Sequence, residues 1–113
     1  MTGNTAIVTI AGELHLGTVA EWEGRVASAA VGAPAVVVDL TDLEFIDSAG
    51  VHALFRMVAT ADSQGSRLTL VCPKERPARR LLETLSLDTV VPLHESVALA
   101  RESADRSSLD LER

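Results

Sequence analysis

Tyrosine is absent from this chain, and only three aromatic residues occur: Trp22, Phe45 and Phe55. Any core must therefore be assembled from Val, Leu, Ile and Ala. Cysteine is represented once, by Cys72, which excludes an intramolecular disulfide. Cys72 follows an apolar, strand-like run, where a thiol reads as a buried packing group rather than a reactive one. No apolar run approaches the ~18 residues of a membrane span. The N-terminus has no basic segment followed by an apolar one, so no signal peptide is expected and the chain is read as cytoplasmic. Positive charge is also short, with 10 basic against 16 acidic residues and a net charge of -6. Such a surface repels phosphate backbones and anionic lipid, which argues against nucleic acid and membrane as partners.

The chain has 113 residues, of which 47% are hydrophobic, enough for one core and too short for two. Thr5 to Ala11 is β-branched and suits a strand ended by Gly12. Val19, Trp22, Val26 and Ala30 recur at helical spacing. Thr18 and Glu21 before that stripe predict a capping box. Ala35 to Leu40 is continuously apolar apart from Asp39, the pattern of a central parallel strand covered on both faces. Residues 42–46 then read as a connection to Asp47 and Ser48. Val51, Leu54, Phe55, Val58 and Ala59 mark one face of a second helix, which Gly65 ends. Arg67 to Cys72 is a further strand candidate, stopped by Pro73. A third helix from Arg76, with Pro77 in its first turn, carries Ala78, Leu81, Leu82 and Leu85. Val90 and Val91 are expected as a short strand and Ser96 to Ala104 as a last helix. The fold class is therefore α/β, with a mainly parallel central sheet of about four strands and four helices packed on it. One domain spans residues 1–104, and a polar tail, expected to fray, spans 105–113.

The segment with the most chemistry is Asp47-Ser48-Ala49-Gly50, where a strand hands over to a helix. A helix start offers unpaired N–H groups and partial positive charge, so a serine there can cap the helix or present a phosphate to those donors. Gly50 has no side chain, which leaves room for a partner or a kinase to approach. A hydrolase nucleophile elbow wants glycine two residues before the serine as well as two after, and Ile46 occupies the first place. An enzyme would have only Asp47, His15 and His52 to serve as acid and base, with no recognisable spacing, so none is expected. His15 and His52 read as solvated surface histidines, with His94 far along the chain. No Cys or His spacing supports a metal, and no cofactor is implied. Trp22 reads as packing, and Lys74, Glu75, Arg76, Arg79 and Arg80 as a solvated helix start.

Four segments resemble the STAS family, which includes bacterial anti-sigma factor antagonists: Gly12-Glu13-Leu14; Val36 to Leu40 with Phe45 to Gly50; Arg80 to Leu85; and Leu87-Asp88 with Val90 to Leu93. The resemblance covers about residues 5–100 and implies a single STAS-like domain that works by binding. It further implies that Ser48 is phosphorylated by an anti-sigma factor with serine kinase activity and restored by a serine/threonine phosphatase. The partner surface it implies comprises Leu14, His15, Leu16 and Thr18 of the first loop and Asp47, Ala49, Gly50 and His52 beside Ser48. The alternative is a STAS interaction subunit of a lipid-transport ABC system, or a signalling scaffold, in which Ser48 is not modified. The oligomeric state expected is monomer or weak dimer. The chain departs from the antagonist pattern at His15, where aspartate is common, at His52, where a small residue is usual, and at Ser86, where glycine precedes the Leu-Asp pair.

Overall fold

The structure, a computed structural model, describes residues 5–111, with side chains described as far as Ala104. Four parallel strands form the sheet: β1 (Thr5–Thr9), β3 (Ala35–Asp39), β5 (Arg67–Val71) and β6 (Leu93–His94), in the spatial order β1-β3-β5-β6. Two further short strands, β2 (Gly12–Leu14) and β4 (Leu43–Ile46), pair with each other in parallel and make a separate two-stranded sheet. The helices are α1 (Val19–Ala30), α2 (Ser48–Ser63), α3 (Pro77–Thr84) and α4 (Val97–Leu111). The architecture is the α/β fold expected from the alternation of periods.

The valines of β3 explain the layering. Val36, Val37 and Val38 are all fully buried, because a central strand covered on both faces has no solvent side. Val36 and Val38 join Val26, Leu54, Leu68 and Leu70 in the main core beneath α1 and α2. Val37 and Val71 face the other way, onto Val97 and Ala100 of α4. In α2 the buried face comprises Gly50, Val51, Ala53, Leu54, Met57 and Ala61, while Ala59 is exposed. Burying Val51, Leu54 and Met57 contributes several kcal/mol, at about 1.5–3 each.

Four local expectations are corrected. Residues 12–14 and 42–46 are not plain loop: most of them form β2 and β4, joined with a register shift between Gly12 and Glu13. Thr18 makes no capping bond to α1. Its hydroxyl instead donates to the Glu13 carbonyl (2.9 Å) and accepts from the His15 N–H (3.1 Å), tying the loop to itself. Val90 and Val91 are not a strand. Leu87–Thr89 form a 3-10 turn, and the pairing strand is Leu93–His94, beside Leu70 and Val71. The basic start of α3 is not uniformly solvated. Arg79, its side chain 13% exposed, donates to the Cys72 carbonyl (2.6 Å) and to Glu95 (2.9 Å), and Arg76 donates to the Leu43 carbonyl (2.9 Å). The Lys74 N–H and Arg79 in turn hold the Glu95 carboxyl below the usual carboxylate range. The tail expected from Asp105 falls beyond the described side chains.

Candidate functional site

The local sequence dictates where α2 begins. The chain leaves β4 in extended conformation, and Asp47 keeps it (φ -117°, ψ -173°). Its carboxylate accepts the Gly50 N–H at 2.9 Å, so Asp47, not Ser48, caps the helix. Ser48 is the first helical residue and is exposed. Among the described residues no protein group engages its hydroxyl. The cap role given to Ser48 by the sequence therefore passes to its neighbour, and the Ser48 oxygen stands free at a helix start.

Gly50 is buried, and its missing side chain serves the interior. A Cβ there would collide with the Leu14 carbonyl oxygen and come within 2.8 Å of Ile46 Cγ1. The expectation that Gly50 admits a partner is therefore corrected: the space it leaves is filled by β2. Leu14 is likewise fully buried and belongs to the core rather than to a partner surface. Of the other residues expected at the site, Leu16, Ser48 and His52 are exposed, and His15, Thr18, Asp47 and Ala49 are partly so. The pairing of Leu14 with Ile46 in the β2–β4 sheet brings the first loop against the start of α2.

His15 is more than a solvated histidine. Its Nδ1 accepts the Gly17 N–H (3.0 Å), which places the ring proton on Nε2, where it donates to Glu13 (3.0 Å). The ring also meets Phe45 edge-on, with centroids 6.2 Å apart. Phe45 is 50% exposed and Leu16 79% exposed, an unusual outlay of apolar surface for a chain with three aromatic residues. Sequence reasoning passed over Phe45, although its place among charged neighbours in Leu43-Glu44-Phe45-Ile46-Asp47 was the signal. Phe45 and Ile46 also line a shallow cleft with Pro77, Ala78 and Leu81.

The electrostatics around Ser48 are acidic. Asp47 adjoins it, Glu44 and Asp42 are exposed on the approach, and none of the described ion pairs involves any of them. A phosphate on Ser48 would lie next to N–H groups of the first turn of α2, yet beside the Asp47 carboxylate. Among the described residues no cluster of His, Cys, Asp and Glu is arranged to hold a metal. No described helix is long and apolar enough to cross a membrane.

A family model described as the STAS domain matches residues 1–100. No curated protein sequence matches the chain. Among solved structures, an anti-sigma factor antagonist from Mycobacterium paratuberculosis superposes with a TM-score of 0.78 at 22% identity, covering 94% of this chain and 89% of that one. The anti-sigma factor antagonist SpoIIAA in its unphosphorylated form gives 0.63 at 18% identity, with 96% and 93% covered. A sulfate transporter family protein from Wolinella succinogenes gives 0.72 at 18% identity, with 100% and 93% covered. At these identities the likeness is one of fold.

Proposed function

The chain belongs to the STAS domain family, and from that membership we propose that it is an anti-sigma factor antagonist, a binding protein rather than an enzyme, switched by phosphorylation of Ser48. Its partner in this reading is an anti-sigma factor with serine kinase activity. The unphosphorylated form binds that factor and releases a sigma factor, phosphorylation ends the binding, and a serine/threonine phosphatase restores it. The cytoplasm is the compartment where such an exchange takes place.

The observation that carries the reading is the free, exposed Ser48 hydroxyl at the first residue of α2, next to a helix cap supplied by a different residue. Because Asp47 holds the helix, Ser48 is at liberty to be modified without loosening the fold. A phosphate adds about -1.5 to -2 charge beside Asp47. In a closely packed complex that charge is desolvated without a counter-ion, at a cost of several kcal/mol. A loss of about 2.7 kcal/mol already weakens binding a hundredfold. Leu16 and Phe45 offer apolar anchors on the two segments that meet at Gly50.

The test is incubation with the anti-sigma kinase and ATP, read by intact mass and by binding. The wild-type chain should gain one phosphoryl group at Ser48 and lose its partner. Ser48→Ala should gain none and stay bound, and Ser48→Asp should bind about a hundredfold more weakly while melting at the wild-type temperature. A second reading is supported by the shared fold of the sulfate transporter family protein: an interaction subunit whose binding ignores Ser48. Equal affinity of wild type and Ser48→Asp, with no mass gain, would favour it.

A further inference from the structure

The outer edge of β1 is a boundary of the main sheet, since β1 pairs with β3 on one side and no described strand lies on the other. Ile10 donates its N–H to the Asp39 carbonyl (3.0 Å), which fixes the edge to which each residue of β1 turns its backbone. Successive residues alternate, so Ala6 and Val8 bond toward β3, while Thr5, Ile7 and Thr9 turn their N–H and C=O groups outward. Among the described residues of the strand, the ordinary protections of such an edge are missing. The strand Thr-Ala-Ile-Val-Thr carries no charge and no proline, and Ile7 is 41% exposed.

We propose that this edge is a self-association surface, on which β1 pairs antiparallel with β1 of a second copy about a two-fold axis at Ile7. The strand itself identifies the occupant, because its sequence is nearly the same read in either direction. An axis at Ile7 sets Thr5 opposite Thr9, Ala6 opposite Val8 and Ile7 opposite Ile7. In this register the three outward-facing residues fall at hydrogen-bonded positions, giving about six backbone bonds across the axis. Thr–Thr and Ile–Ile are favourable cross-strand pairs, and small Ala6 complements larger Val8 on the helix-covered face. A chain of net charge -6 would resist its own copy elsewhere, but here no charged residue lies on the pairing strand. The assembly closes at two copies, because the opposite edge is the two-residue strand β6, preceded by Pro92.

The experiment is sedimentation of the full chain across concentrations, with circular dichroism as the check on folding. The wild type should reach twice the chain mass, and Ile7→Lys, at an exposed position, should keep its fold and dimerise at least tenfold more weakly. Paired residues at such an axis have Cα atoms about 5.5 Å apart, within disulfide range. Ile7→Cys should therefore cross-link to a dimer under mild oxidation, with Cys72 shielded by burial. A wild type that stays monomeric at about a hundred micromolar would overturn the proposal. So would a dimer indifferent to Ile7→Lys and without the Ile7→Cys cross-link. A monomer whose Ile7 amide is as protected from hydrogen exchange as those of β3 would also overturn it, since another segment would then occupy the edge.

Discussion

Ser48, Asp47 and Gly50 divide three tasks that a reading of adjacent letters assigns differently. Asp47→Ala removes the cap of α2 and should lower unfolding stability by about 1 kcal/mol in urea titrations, whereas Ser48→Ala should change it little. Gly50→Ala forces a methyl onto the Leu14 carbonyl, where backbone has to yield, and should cost about 1–3 kcal/mol. The strand-to-helix handover at Ser48 was legible in sequence because caps and turns are local. The use of Gly50 was not, because the atom that excludes a side chain comes from Leu14, far earlier in the chain. Ser86 stands where the family pattern has glycine, and it adopts a left-handed conformation (φ 62°), the one non-glycine residue to do so among those described. Ser86→Gly should relieve that strain and raise stability by roughly 0.5–1 kcal/mol, read from the same titration. Burial pushes the Cys72 thiol up to about 11. An unfolded thiol ionises near pH 8.5, so the folded chain favours the protonated form. The contribution of Cys72 is constant below about pH 8.5 and is lost as pH rises toward 11. The urea midpoint of wild type should therefore fall more between pH 8 and pH 10.5 than that of Cys72→Ala.

At the scale of elements, the strands written in continuous apolar residues were the readable ones. Ala35 to Leu40 announced a doubly covered strand, and its valines are indeed sealed on both faces. The β2–β4 pair was hidden, because strands of three and four residues carry almost no periodicity and their partnership spans the whole of α1 and β3. The last strand was misplaced for a related reason. Val90 and Val91 have the better β propensity, but Leu93 and His94 are the residues brought alongside Leu70 and Val71, and tertiary position overrode propensity. Helix α3 shows how a basic run can be structural. Arg79 joins the end of β5, through the Cys72 carbonyl, to Glu95 ahead of α4 and to Glu83 within its own helix. Removing it strips the Cys72 carbonyl and Glu83 of this donor and leaves Glu95 with the Lys74 N–H alone. Arg79→Ala should cost about 2 kcal/mol, and Arg79→Lys should recover only part, because an ammonium cannot match the planar fork. Thermal melts of the two variants side by side check this.

Across the whole molecule, α1, α2 and α3 contribute to the main core and α4 packs on the opposite side of the sheet, while the pairing strand β1 and Ser48 at the start of α2 belong to different elements. The proposed self-pairing uses none of the residues of the proposed Ser48 switch, so Ile7→Lys should not alter phosphorylation of Ser48, as parallel kinase reactions would reveal. The pairing of Leu14 with Ile46 has one more consequence. Under the proposed function, the landing ground for a partner is a discontinuous epitope, stitched from stretches on either side of an intervening helix and strand. A synthetic peptide copying residues 12–18, or one copying residues 43–52, would carry the right letters without the neighbour that shapes them, and neither should compete with the intact domain.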